Sequence, residues 1–154
     1  PLNKSTRKKV YDEMIAQVEK IQKAGISISH ADSHHHIHTA IFIAPIFMKV
    51  CKEKGIEKVR IHRNIGNIHL YKRIGKYFYN LWLRLMKFKT VRYFGMIYDV
   101  EKVGVFDDME IMVHPEYDLN NVLIDKVGEE NGYSVGKILQ LPKENIILRG
   151  YKDI

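Results

Sequence analysis

Alternation of amphipathic helices with short apolar runs is the feature that most constrains the fold of this 154-residue chain. Apolar residues recur at three- and four-residue spacing from Thr6 to Ala24, which predicts a helix, and Gly25 is suited to its C-cap. The pattern then changes to a short, partly alternating run from Ile26 to Ala31, which predicts a strand. Because further helices and strands follow in turn, we expect an α/β fold with parallel strands.

The same criteria predict the remaining elements. Helices are predicted at Ala40 to Lys54 and Asp118 to Gly128, with a helical turn at Ser134 to Leu139. Strands are predicted at Ile56 to His62, Val91 to Asp99, Met109 to Val113 and Asn145 to Leu148. With no repeat or linker in between, residues 1–154 are expected to form a single domain.

Composition restricts the setting and the partners. No apolar run is long enough to cross a bilayer, and the single cysteine, Cys51, excludes a disulfide within the chain. A cytoplasmic location is therefore the expectation. The net charge of +7 permits contact with nucleic acid or an anionic membrane, but basic residues at exposed helical spacing are typical of a solvated face. We expect neither nucleic acid nor a membrane as a partner.

The segment from Asp32 to His38 holds four histidines in five positions behind an aspartate. Asp32, His34, His36 and His38 are spaced by two, so in an extended backbone their side chains would share a face. Imidazole and carboxylate groups are metal ligands, and a carboxylate can also orient a ligating imidazole. Spacing alone does not show which histidines bind, and a solvated loop or a core histidine is the alternative. The density of histidines favours metal binding.

Two further groups follow predicted strands. His114 stands after the strand at Met109 to Val113, where Pro115 ends the pairing. Since the pKa of histidine is normally near neutrality, His114 is suited to acid or base chemistry, and a buried structural role is equally compatible. Arg60 can bind a polyhydroxylated substrate, although a solvated arginine is the simpler interpretation.

Several motifs can be compared with known families. They are the element from His30 to His38, the Val59-Arg60 pair, the strand end from Glu110 to Pro115 and the closing Tyr151-Lys152-Asp153, with Glu13 and Gln17 in the first helix. Together they resemble the YdjC-like carbohydrate deacetylases, from Glu13 to the C-terminus. The Asp-Ser-His-x-His-x-His element is the most specific motif, and residues 64–107 carry the least resemblance.

The resemblance implies the C-terminal portion of a (β/α) barrel-like fold that lacks its N-terminal strands, often dimeric. It implies metal-dependent hydrolysis of acetyl groups from N-acetylated sugars such as chito-oligosaccharides. The expected ion is magnesium, and zinc is the alternative because imidazole ligands favour it. By resemblance, His34 is a metal ligand. The family's second histidine and its Asp-Asp pair have no counterpart here, since Asp107-Asp108 precedes a strand instead of following one.

The implied roles complete the expected site. His114 would protonate the leaving amine, and Asp32 would hold a histidine in the correct tautomer. His36, His38 and Arg60 would bind substrate or hydrogen-bond to neighbours. We also expect His114 to open into the same cavity as His34. With one matched ligand, the isolated chain is expected to be inactive and to self-associate.

A non-catalytic binding module is the competing interpretation. It rests on residues 71–92, where an apolar stripe is surrounded by lysine and arginine. The stripe consists of Tyr71, Ile74, Phe78, Leu81, Leu85 and Phe88. Such a helix can bind a protein or lie on an anionic membrane, but a helix packed over the sheet is the interpretation that we favour.

Overall fold

The computed structural model describes residues 2–127, 147 and 149–153, which form a mixed α/β structure. The chain divides into two compact units. The first contains Pro1–His62, Phe78–Thr90 and Tyr151–Ile154, and the second contains Arg63–Tyr77 and Val91–Gly150. The elements predicted at 134–139 and 145–148 lie outside the described residues, apart from Ile147. A single domain over 1–154 stays a prediction.

The first unit begins with two helices. Helix α1, Lys4–Lys23, confirms the first predicted helix, and the side chain of Asn3 caps it by accepting a hydrogen bond from the Thr6 amide at 2.8 Å. Helix α2, Ala44–Glu53, begins four residues later than predicted because Pro45 is placed in its first turn. Gly25 and Gly55, with φ of +76° and +69°, follow the helices in the left-handed conformation.

Helix α2 provides most of the core of this unit. One side of α2 is buried. Helix α1 packs against α2, but none of the side chains of α1 is more than half-buried. The buried residues of α2 are Ala44, Ile46, Phe47, Met48, Val50 and Cys51. A salt bridge of 2.6 Å between Lys54 and Glu19 joins the two helices at their ends.

The strands predicted at 26–31 and 56–62 are shorter than expected. Only isolated parallel bridges form, between Ala31 and Val59 and between Lys58 and Lys89. Their hydrogen bonds include one from the Ala31 amide to the Lys58 carbonyl at 2.9 Å. The parallel direction of these bridges agrees with the prediction. The predicted continuous strands do not form, since each bridge pairs a single residue.

Helix α3, Leu70–Leu85, lies in the basic aromatic stretch, and the boundary between the units falls within it. It buries Tyr79, Asn80 and Leu83. None of the helices in the described part of the chain is long and apolar enough to span a membrane.

The second unit contains a β-α-β arrangement. Strand β1, Tyr93–Met96, is followed by helix α4, Ile97–Val103, and by strand β2, Met109–Met112. The two strands are parallel, with Tyr93 opposite Met109 and Met96 opposite Met112, which confirms parallel pairing in an α/β fold. The strand predicted at 91–99 is shorter because α4 starts at Ile97. Closure into a barrel stays a prediction.

The helix predicted at Asp118 to Gly128 is wrong over residues 118–125, while residues 126–127 are helical and Gly128 lies outside the described residues. Strands β3, Pro115–Tyr117, and β4, Leu123–Asp125, form an antiparallel hairpin there. The side chain of Asp118 explains the difference, because its Oδ1 accepts hydrogen bonds from the amides of Asn120 at 2.9 Å and Val122 at 2.7 Å. An aspartate that binds the backbone in this way stabilises a turn.

Candidate functional site

The histidine segment is a tight turn and not an extended strand end. Residues His34–Thr39 form a 3-10 helix interrupted by a kink, and His35 and His36 have left-handed backbones with φ of 52° and 55°. The expectation that Asp32, His34, His36 and His38 share one face is therefore wrong, since side chains alternate only in an extended chain.

His38 is a structural histidine. Its side chain is fully buried, its Nε2 lies 3.2 Å from the Arg60 carbonyl oxygen, and its Nδ1 lies 2.9 Å from Ser33 Oγ. A carbonyl only accepts, so Nε2 carries the proton and Nδ1 accepts from the serine hydroxyl. Burial lowers the pKa of His38 to about 4, so the ring is neutral at pH 7. The structure shows the hydrogen bonds to neighbours that were the alternative for this residue, and its contact with substrate stays a prediction.

Ser33 holds the turn together, and sequence reasoning missed it. Its Oγ accepts a hydrogen bond from the His38 amide at 2.7 Å while it donates to the ring of the same residue. Tyr79 donates from its hydroxyl to the His38 carbonyl at 3.1 Å. The serine of the Asp-Ser-His element therefore could have indicated a turn, because its side chain hydrogen-bonds across it.

Asp32 pairs with an arginine of the neighbouring segment. Its carboxylate forms a salt bridge with the guanidinium of Arg60, and both side chains are partly exposed. The expected role of Asp32 as a partner of a histidine stays a prediction. Arg60 keeps a part-exposed side chain, so its contact with substrate stays a prediction.

His34 and His36 differ in exposure. His34 is exposed, and its ring packs edge-on against that of His35 with the centroids 4.0 Å apart. His36 is half-buried, and its role in substrate binding stays a prediction. Across residues 2–127, 147 and 149–153, no three histidine, cysteine, aspartate or glutamate side chains are close enough to hold a metal ion. The described residues do not form a metal site by themselves, and His34 is an accessible candidate for one ligand.

His114 presents the opposite situation to His38. Its Nδ1 is buried and has no hydrogen-bond partner among the residues that the structure describes. The backbone around it is fixed, since its amide donates to Asp125 Oδ2 at 2.5 Å and its carbonyl accepts from the Lys126 amide at 3.0 Å. Buried polar atoms are nearly always paired, so this ring nitrogen makes His114 a candidate functional group. Asp125, itself fully buried, was missed at the sequence level.

Two of the motifs shared with the family, the one that begins at His30 and the one that begins at Tyr151, contact each other in the first unit. The rings of His30 and Tyr151 are stacked with their centroids 3.8 Å apart, and the Lys58 ammonium donates to the Tyr151 carbonyl. A groove of about 400 Å³ lies beside them, lined by Ser27, Ile28, Ser29, Gly55, Glu57, Lys58 and Lys152. Because the groove contains no histidine, we do not place the chemistry there.

A buried ion pair fixes the loop before α3 in the second unit. Asp99 is 1% exposed, and its carboxylate accepts from Arg63 Nη2 at 2.5 Å and from the Met96 amide at 2.9 Å. Gly66, with φ of +83°, passes so close that a Cβ there would lie 1.8 Å from Asp99 Oδ1. Since both oxygens are occupied by groups of the chain, this cluster has a structural role.

Comparisons with known proteins agree with these motifs. A family model described as YdjC-like protein matches residues 2–131. A carbohydrate deacetylase of Listeria monocytogenes serotype 4a (strain HCC23) is 31% identical over 105 residues, which are 68% of this chain and 40% of the relative. One from Vibrio cholerae serotype O1 (strain M66-2) is 52% identical over 44 residues, which are 29% of this chain and 18% of the relative.

The chain spans about 40% of the length of the Listeria relative that it matches. No solved structure matches it significantly. The family model covers far more than half of the chain, and it includes both the histidine turn and His114. This chain therefore belongs to the YdjC-like family.

Proposed function

We propose that this chain provides part of the active site of a carbohydrate deacetylase that removes acetyl groups from N-acetylated sugars. The family and the names of the Listeria and Vibrio relatives support this activity. Chito-oligosaccharides are the substrate class that we propose. A barrel-like fold, a cytoplasmic location and a homo-oligomer belong to the same proposal.

The buried, unpaired Nδ1 of His114 is the observation that carries the proposal. Hydrolysis adds water across the amide, so the carbonyl carbon gains a hydroxyl group and the sugar nitrogen leaves as an amine. The departing nitrogen needs a proton, and a positioned imidazole can supply it. His114 is suited to this role because no group of the described chain competes for its nitrogen.

The metal stays a proposal. Since the described residues do not form a site of three ligands, we assign no step to an ion. We propose His34 as one ligand because it is exposed and is free of the core, with the remaining ligands outside the described residues. Magnesium is the first candidate and zinc the second.

The test is deacetylation of N-acetylated chito-oligosaccharides with magnesium, zinc or cobalt. The 154-residue chain is assayed alone and as a graft that replaces the aligned 105 residues of the Listeria relative. We expect acetate release by the graft and none by the chain alone. A folded graft that releases no acetate would contradict the proposed activity. Robust turnover by the chain alone, abolished in His34→Ala, would show that a complete site exists within it.

A non-catalytic binding module remains a second candidate because of one specific observation. Most of the apolar stripe that the sequence places on α3 is exposed.

A further inference from the structure

The hairpin that follows His114 carries an exposed aromatic side chain. Tyr117, on β3, is 65% exposed, and Leu123, which lies opposite it on β4, is 46% exposed. Residues opposite each other in an antiparallel pair have Cβ atoms about 5 Å apart, so these two side chains lie side by side on one face of the hairpin. The tyrosine and the leucine therefore form a small continuous apolar surface.

The same face of the hairpin leads back to His114. Side chains alternate between the two faces of a strand, so Asp125 on β4 shares its face with Leu123. Asp125 is fully buried, and its Oδ2 accepts a hydrogen bond from the His114 amide. This face is therefore buried at its base, where His114 is anchored, and exposed towards the turn, where Tyr117 lies.

The hairpin holds Tyr117 at a fixed distance from His114. The chain is extended along β3, with a rise of about 3.3 Å per residue, so the Cα atoms of the two residues are about 10 Å apart. Asp118 closes the turn beyond, because its Oδ1 accepts hydrogen bonds from the amides of Asn120 and Val122. A backbone that is already ordered loses little entropy when a ligand contacts its side chains.

We propose that Tyr117 is a binding platform for a second sugar ring of the substrate, beyond the ring that reacts at His114. A pyranose ring presents a face of C–H groups that packs on the flat apolar ring of a tyrosine, and its hydroxyl groups can hydrogen-bond to the phenol. Ligand sites combine apolar surfaces of this kind with a few polar groups. The inference rests on the proposed deacetylase function, and it adds a residue that selects oligosaccharides over a single N-acetylated sugar.

The size of the surface favours a sugar over a second copy of this chain. A stable interface between proteins uses about 20–30 residues on each side. The exposed large apolar residues of the hairpin are Tyr117 and Leu123, with Leu119 and Val122 in the turn. Four side chains are far fewer than such an interface needs, whereas one aromatic ring is enough to cover one face of a sugar.

The distance between Tyr117 and His114 limits which ligands contact the platform. A single N-acetylated sugar, bound with its acetyl group at His114, leaves a side chain about 10 Å further along the strand uncovered. Removal of Tyr117 should therefore weaken the binding of oligosaccharides and leave the binding of the monosaccharide unchanged. A residue that only stabilised the fold would affect both ligands alike.

The first experiment follows the tyrosine ring signals of the full chain by NMR during titration with N-acetylglucosamine or with fully N-acetylated chitotriose. We expect the trisaccharide to move the Tyr117 signals and the monosaccharide to leave them in place. If the trisaccharide moves the His114 signals without those of Tyr117, the platform is overturned and the proposed function stands. If the trisaccharide moves neither residue, the platform is overturned as well, and acetate release by the graft decides the proposed function separately.

Variants of the full chain measure the contribution of the ring by isothermal titration calorimetry. Tyr117→Ala should weaken binding of the trisaccharide about tenfold, and Tyr117→Phe, which keeps the ring, should weaken it by about threefold or less. Tyr71→Ala is the matched control, because Tyr71 is 70% exposed and belongs to the same unit, and it should leave the affinity unchanged. No loss in Tyr117→Ala, or an equal loss in Tyr71→Ala, would overturn the proposal.

The oligomeric state distinguishes a sugar from a second copy as the occupant of this surface. The wild type and Tyr117→Ala are compared by analytical ultracentrifugation without sugar. If the wild type is a dimer that the variant dissociates, and the affinity for the trisaccharide is the same for both, Tyr117 is a contact between copies and the proposal is wrong. An unchanged oligomeric state with a lower affinity for the trisaccharide supports it.

Discussion

The histidine turn and the strand end at His114 use the same side chain in opposite ways. In the turn, His38 is buried with both ring nitrogens hydrogen-bonded, to Ser33 and to the Arg60 carbonyl. At the strand end, His114 has a fixed backbone and a buried Nδ1 that no described residue contacts by a hydrogen bond. Satisfied groups stabilise the fold, whereas an unsatisfied nitrogen is available to a reactant. In this chain, hydrogen bonding therefore separates a histidine that holds the fold from the one proposed to act on substrate.

The largest effect is expected from His114→Ala. In the grafted enzyme, this change should lower turnover by about 10²–10⁴-fold, because it removes a general acid. Unfolding free energy should change by less than about 1 kcal/mol, because the ring Nδ1 makes no hydrogen bond in the described structure. Steady-state kinetics and urea unfolding measure the two quantities. A loss of stability without a specific loss of turnover would make His114 structural.

His38→Ala should act on stability. The change removes two ring hydrogen bonds and a contact with Phe47, whose ring centroid lies 5.1 Å away. We expect unfolding free energy to fall by about 3–4 kcal/mol. His34→Ala is the matched control, and it should change stability by about 0.5 kcal/mol or less because His34 is exposed. If urea unfolding shows equal effects of the two changes, His38 does not stabilise the turn more than His34 does.

Acid should destabilise the fold through His38. Its folded pKa is about 4, below the unfolded value of about 6.5, so the unfolded state binds more protons in this window. The contribution is complete above pH 6.5 and is lost as the pH falls towards 4, by roughly 2 kcal/mol between pH 7 and pH 5. In His38→Gln this part of the pH dependence should disappear. The same slope in both proteins would assign it to other groups.

Ser33→Ala should have the smallest effect. It removes the hydroxyl that pairs with the amide and the ring of His38, so unfolding free energy should fall by about 1 kcal/mol. Ser33→Thr keeps the hydroxyl and should recover most of the loss. If both variants are as stable as the wild type, Ser33 does not hold the turn.

The helices of the first unit and the parallel pairing were predictable because each has a local signal. The apolar spacing in α1 and the glycines at 25 and 55 belong to single segments, and the structure places them as expected. The hairpin at Pro115–Tyr117 and Leu123–Asp125 also has a local sequence signal, because Asp118 and the two asparagines that follow it favour a turn. The prediction of a helix gave more weight to the helical spacing.

The site was less predictable because its contacts are not local. The spacing of the histidines fits a strand, and only the left-handed backbones of His35 and His36 show that it is a turn. Nothing in the sequence indicates that Asp32 pairs with Arg60, 28 residues away, or that Asp125 holds the His114 amide. Whether His34 and His114 open into one cavity stays a prediction.

The most direct measurement is long-range ¹H–¹⁵N NMR of the histidine rings in the full chain, with and without an N-acetylated chito-oligosaccharide. At pH 7 we expect His38 to be the neutral tautomer protonated at Nε2, with signals that do not move when the sugar is added. The His114 ring signals should move, because its Nδ1 is the group free to meet the ligand. Movement of His38 with an unchanged His114 would contradict the division between the two histidines.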